Sequence, residues 1–259
     1  MPSVIVDHRD HVLHIGLNRP AKRNAFNVEM LEQLGRAYEH LERDDSLRVG
    51  VLYAHGDNFT AGLDLAEVGR RLVEGSLDWP DDARNPWRND GRPWTKPVVA
   101  AVHGWCMTLG IELLLAADVR IAGTDARFAQ VEVQRGIYPF GGATTQLPRE
   151  AGWGNAMRWL LTGDDFDAAE ALRIGLVQEV VEPGNQLDRA VELAERIATR
   201  SAPLAVRTTL EAAQRANREG ERAAEDRFVD DVVTLFKTQD GAEGPASFME
   251  RRPARFIGA

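Results

Sequence analysis

Apolar and polar residues alternate through VIVDHRDHVLHIGLNRP about a polar centre at Arg9 and Asp10, which predicts a hairpin closed by Pro20. The period then changes. Met30, Leu34, Tyr38 and Leu41 recur at helical spacing behind Asn27, a suitable N-cap, and predict a helix lying over a sheet. VGVLYA at 49–54 follows as a strand, and a polar turn at 55–58 leads into FTAGLDL. Residues 70–94 are rich in Arg, Asp, Pro and Trp without sustained periodicity, so an irregular insertion or a broken helical lid is expected.

Beyond it, PVVAAVHG at 97–104 predicts a strand that passes through WCMTL into helical GIELLLAA, and DVRIAG returns as a strand. A further unit begins with RFAQVEV as a strand and turns at FGGATT. It continues through helical segments to about Leu176, where LVQEVV predicts another strand. From Gly184 onward the pattern is helical throughout, with Phe228, Val232 and Phe236 on one face of a late helix. Repeated strand-strand-helix units ending in helices describe an α/β fold. We divide it into a core over 1–190 and a C-terminal helical segment over 191–259.

At 259 residues the chain suits one large domain or a domain with an appendage. No apolar run approaches the roughly 20 residues of a membrane span, and the first residues have neither a signal-peptide nor a transit-peptide layout, so a soluble cytoplasmic protein is expected. The net charge of −9 argues against a nucleic-acid surface while leaving room for a local basic patch that holds one anionic group. Cys106 is the sole cysteine, set among apolar residues as a packing side chain. No GxGxxG, P-loop, nucleophile elbow or paired CxxC occurs, and the spacing of His8, His11 and His14 puts His11 apart from the other two, so no metal site is expected.

Three passages carry a more specific signal: DNFTAGLDL at 57–65, KPVVAAVHGWCMTLGIELLLAADVRIA at 96–122 and ARFAQVEVQRGIYPFGGATTQLPREAG at 126–152. With LNRPAKRNAF near the start and EGPASFMERRPARF near the end, they resemble the crotonase superfamily of enoyl-CoA hydratases and isomerases, in order and spacing, over nearly the whole chain. The resemblance implies a crotonase-like spiral of ββα units and chemistry through the enolate of an acyl-CoA thioester, which needs two backbone N–H donors on one carbonyl oxygen. It places those donors at Leu63 and Leu109. Alone, each loop is as well explained by a glycine turn. The chain also departs from the family where a glycine run is usual, carrying Thr108, Leu109 and Gly110: Leu109 can supply an N–H as well as Gly, but its Cβ restricts the backbone at the donor.

By the same resemblance Glu112 in GIEL and Glu132 in AQVEV are the catalytic pair, Glu112 activating water and Glu132 exchanging the Cα proton. From the residues alone, a helix-first-turn Glu and a Glu on a strand face have ordinary structural roles. Lys22, Arg23 and the Ala61 backbone are implied in CoA binding, with Arg251 or Arg252 able to reach phosphate. Trp79, Trp87 and Trp94 suit either an acyl-pocket wall or lid packing. Asp118 suits a buried ion pair. The resemblance further implies an acyl-CoA substrate, no separate cofactor, since CoA belongs to the substrate, and a homotrimer or dimer of trimers. Hydration of an enoyl-CoA is the expected activity, with double-bond isomerisation as the alternative and a non-catalytic RNA-binding relative as the reading from another class.

Overall fold

The computed structural model describes residues 2–75 and 78–259. Strands β1 (Val4–Arg9) and β2 (Val12–Leu17) pair antiparallel about the predicted turn, where Asp10 takes a left-handed conformation. Helix α1 (Val28–Arg43) starts at Asn27, whose side chain accepts from the Met30 N–H at 3.1 Å, and buries Met30, Leu34, Tyr38 and Leu41. Strand β3 (Val49–Ala54) follows. Helix α2 (Leu65–Val73) reaches into the stretch expected to be irregular, and residues 78–97 then carry only turns and bends.

The next turns of the chain repeat one plan. Strand β4 (Val98–Val102) is followed by short β5 (Trp105–Met107) and helix α3 (Leu109–Ala116), and β6 (Val119–Gly123) by short β7 (Arg127–Ala129). Helices α4 (Ala143–Ala151) and α5 (Trp153–Thr162), strand β8 (Asp165–Asp167), helix α6 (Ala168–Arg173) and strand β9 (Glu179–Val181) complete the spiral. Among the described residues the strands form a large sheet in the order β1-β2-β3-β4-β6-β9, parallel from β2 onward, and a small one in the order β5-β7-β8. A bridge from Thr60 to Cys106 gives the turn after β3 the same place beside β5. The ββα spiral expected from the resemblance is the observed architecture.

Two of the predicted strands are shorter than their alternation suggests. LVQEVV pairs only over β9, and RFAQVEV pairs only over β7 before bending into a 3-10 helix at Val131–Arg135.

Helix α7 (Gln186–Arg200) turns Ala190, Ala194 and Ala198 onto the sheet face formed by Val49, Val51, Val99, Ala101 and Ile121, a match of helical and strand periods. The division placed between residues 190 and 191 therefore falls inside one helix, because the helical pattern begins before the chain leaves the sheet. Helices α8 (Pro203–Glu219), α9 (Glu221–Glu225), α10 (Phe228–Phe236) and α11 (Gln239–Met249) follow. Phe228, Val229, Val232, Val233 and Phe236 of α10 are exposed. No helix among the described residues is long and apolar enough to cross a membrane.

Candidate active site

Every residue of α3 is buried, including Glu112, the only charge in LGIELLLA. An unpaired carboxylate there would be costly, and the chain supplies donors from the turn before α4. The N–H groups of Gly141 and Ala143 both bond to Glu112 Oε1, at 2.7 and 3.3 Å. Burial pushes the Glu112 carboxyl up to about 7, against the opposing pull of these backbone donors. Gly141 is required by contact: a methyl group built on it would overlap Glu112 Oε2 and lie 2.6 Å from the Trp87 indole nitrogen.

Glu132 lies in the first turn of the 3-10 helix, not on a strand face, because the chain leaves the small sheet after Ala129 and closes its turn at left-handed Gly136. Its side chain points inward nonetheless. The residue is buried, its Oε2 has no partner among the described residues, and burial, with the negative charge of Glu112 adding to it, pushes the carboxyl up to about 7. The two expected carboxyls are thus buried close enough for the charge of Glu112 to act on Glu132.

The two expected N–H donors are also brought together. Leu63 forms a parallel bridge with Phe26, in which Phe26 N–H donates to Gly62 O and Asp64 N–H to Phe26 O, both at 2.8 Å. Leu63's own N–H therefore faces away from Phe26, and it has no acceptor among the described residues. Gly62, at φ +95°, passes so close to Thr108 that a Cβ would overlap the threonine Oγ1, which joins this loop to the start of α3. There Thr108 occupies the N-cap position without a side-chain cap bond, and the Leu109 N–H, at the positive end of the helix, has no acceptor among the described residues.

The departure from a glycine run is absorbed one residue before the donor. Leu109 has an ordinary backbone conformation, whereas Thr108 sits at φ +50°, ψ −112°, a region costly for a β-branched residue.

At the proposed CoA end, Lys22 closes a 3-10 turn and Arg23 follows in a left-handed conformation. The Arg23 carbonyl accepts from the Ala61 N–H at 2.9 Å, which sets the basic pair beside the loop leading to Leu63, and the Ala61 carbonyl has no backbone donor among the described residues. Both basic side chains are exposed and have no ion-pair partner among the described residues. Arg252 does not join them: it is committed to Glu243 and Glu250. Arg251, in the turn after α11, is exposed.

Sequence reasoning missed the Gly141 to Ala143 donors and the place of Trp87. FGGATT signalled a turn, but nothing in it names a partner 29 residues away. The three tryptophans separate: Trp94 packs in the core, 4.7 Å from the Tyr38 ring, while Trp87 borders Glu112 with Trp79 against it. Asp118 accepts two bonds from Arg88 and one from the Val98 N–H, the structural pairing expected of it. Cys106 is fully buried.

Two buried carboxyls with high proton affinity, beside two open backbone donors, make a site suited to acid/base chemistry on a carbonyl compound. The enoyl-CoA hydratase/isomerase family model matches residues 7–259, and the chain belongs to that family. It is 36% identical to enoyl-CoA hydratase EchA19 of Mycobacterium tuberculosis, over 98% of this chain and 96% of that one. It is 35% identical to 2,3-dehydroadipyl-CoA hydratase of Escherichia coli over the full length of both. A crystal structure of a probable enoyl-CoA hydratase/isomerase from Mycobacterium abscessus superposes with a TM-score of 0.96 at 53% identity, covering 99% of each chain.

Proposed function

We propose that this protein is an enoyl-CoA hydratase, adding water across the 2,3 double bond of an acyl-CoA thioester, with Glu112 and Glu132 as its acid/base pair. The observation that carries the proposal is the pair itself: two buried carboxyls, the charge of one acting on the other, each holding its proton up to about 7. Near neutral pH such a pair shares protons, so one member serves as base while the other serves as acid. Ionised Glu112 takes a proton from water as its oxygen bonds to Cβ. The π electrons shift toward the thioester, whose oxygen gains charge against the Leu63 and Leu109 N–H groups, and protonated Glu132 delivers its proton to Cα.

No separate cofactor takes part in this scheme. Lys22 and Arg23 meet the phosphates of CoA, and the Ala61 carbonyl meets its adenine. The apolar face of α10, with Phe236 at 67% exposure, supports a homotrimer or dimer of trimers, which light scattering would test. The deciding assay is loss of enoyl-thioester absorbance with crotonyl-CoA, the product identified by mass and NMR. A 3-hydroxyacyl-CoA product supports hydration, a shifted double bond points to isomerisation, and inertness toward short, long and aromatic enoyl-CoAs would sink the proposal.

A further inference from the structure

Trp87 comes from a stretch without periodicity, yet it is held firmly. Its backbone N–H donates to Asn85 Oδ1 at 2.9 Å, and its ring packs edge to face between Trp79 and Phe140, with centroids 5.5 and 5.8 Å away. The next residue, Arg88, makes two bonds to Asp118, at 2.8 and 3.1 Å, and lies 4.1 Å over the Trp94 ring. This anchoring sets the Nε1 edge of Trp87 against Gly141, beside Glu112 Oε2.

The indole N–H is buried there with no acceptor among the described residues, and Glu132 Oε2 is buried with no partner among them either. Buried polar groups in folded chains are nearly always paired, so an orphan donor and an orphan acceptor in one site call for a common partner. Trp87 Nε1 and Glu112 Oε2 both lie within about 2.6 Å of one point and are thus at most about 5 Å apart, a span that one water bridges. A water molecule donates twice and accepts twice. Its two O–H groups suit the two carboxyl groups, one lone pair suits the indole N–H, and the other is left for Cβ.

We propose that Trp87 is a third ligand of the reacting water, its indole N–H donating to the oxygen that becomes the β-hydroxyl. The inference rests on the hydratase reading and adds a residue to it: the two carboxyls direct the O–H groups, and the indole N–H occupies one lone pair and holds the oxygen in place, so that the other lone pair faces the double bond.

The test is Trp87→Phe, which keeps an aromatic ring between Trp79 and Phe140 and deletes the donor. Steady-state hydration of crotonyl-CoA is compared with deuterium exchange at Cα of butyryl-CoA, a reaction that uses Glu132 and the N–H pair but no added water. The expected result is kcat for hydration lower by about tenfold, KM within about threefold, and exchange unchanged within about twofold. Unchanged hydration overturns the proposal, and so does a parallel fall in both reactions, which marks a packing role. A wild-type protein that hydrates nothing overturns the hydratase reading and this inference together, whereas active wild type with unaffected Trp87→Phe overturns this inference alone. Should Trp87→Phe fold poorly, 3-benzothienylalanine introduced at position 87 replaces the N–H by sulfur in the same shape, and the same outcomes decide.

Discussion

Replacing Glu112 by Gln should make the protein inactive and, in alkaline solution, more stable. The amide keeps an oxygen for the Gly141 and Ala143 N–H groups and removes only the ionisable proton. In the folded chain the Glu112 carboxyl is raised from 4.5 to about 7, so the native state holds the proton more tightly than the unfolded state does. As pH rises from about 4.5 to about 7 the unfolded state releases its proton first, and wild-type stability falls across that window. Above it the whole penalty is present, about 3 kcal/mol at most from a shift of this size. Below it there is none.

The Glu112→Gln side chain cannot ionise and escapes the penalty. Urea unfolding at fixed protein concentration should therefore give this variant an advantage of about 2 to 3 kcal/mol at about pH 8 that shrinks to nearly nothing at about pH 4.5, equivalent to roughly 5 to 10 °C in Tm at the higher pH. Hydration by the same variant should fall by about a hundredfold or more. An advantage that does not change with pH, or a variant less stable than wild type at about pH 8, would refute the claim that Glu112 is held in the fold at an energetic cost.

Two further substitutions test the loops around it. Thr108→Gly removes a β-branched residue from φ +50° and should stabilise the chain by about 1 kcal/mol, with hydration retained, as read by urea unfolding and crotonyl-CoA assay; lost activity would show that the threonine side chain, not the Leu109 N–H behind it, does the work. Lys22→Ala combined with Arg23→Ala should raise KM for crotonyl-CoA about tenfold with kcat nearly unchanged, the more so at low salt, and an unchanged KM would remove the pair from the CoA site.

What the sequence discloses follows from the range of each interaction. Asn27 and the run Met30, Leu34, Tyr38, Leu41 state α1 within one segment, and the wholly apolar setting of LGIELLLA declares both a buried helix and the oddity of its single Glu. Glu132 was legible as a candidate, and the structure buries it within reach of the Glu112 charge, while its backbone was not legible: alternation in RFAQVEV is met by three paired residues, and the bend that follows depends on where the small sheet runs out of partners. The donors to Glu112 and the clamp on Trp87 join residues about 30 positions apart that no local pattern connects. The end of the core was misplaced for a similar reason, since Ala190, Ala194 and Ala198 show a helical stripe without showing that its target is the sheet. Thr108 escaped because strain at one residue leaves no trace in periodicity.

The burial of a single carboxyl in α3 also bears on how such a chain diverges. Every other side chain of that helix is apolar, so a chance replacement of Glu112 by Gln, whose amide oxygen still accepts from the Gly141 and Ala143 N–H groups, meets little structural resistance and relieves a standing cost. On the proposed reading, demand for turnover is what keeps an acid at this position. A duplicated copy released from that demand would drift downhill toward a well-folded protein that still presents the Leu63 and Leu109 N–H groups to a thioester and no longer transforms it, so catalytic silence is the expected fate of spare copies rather than loss of the fold.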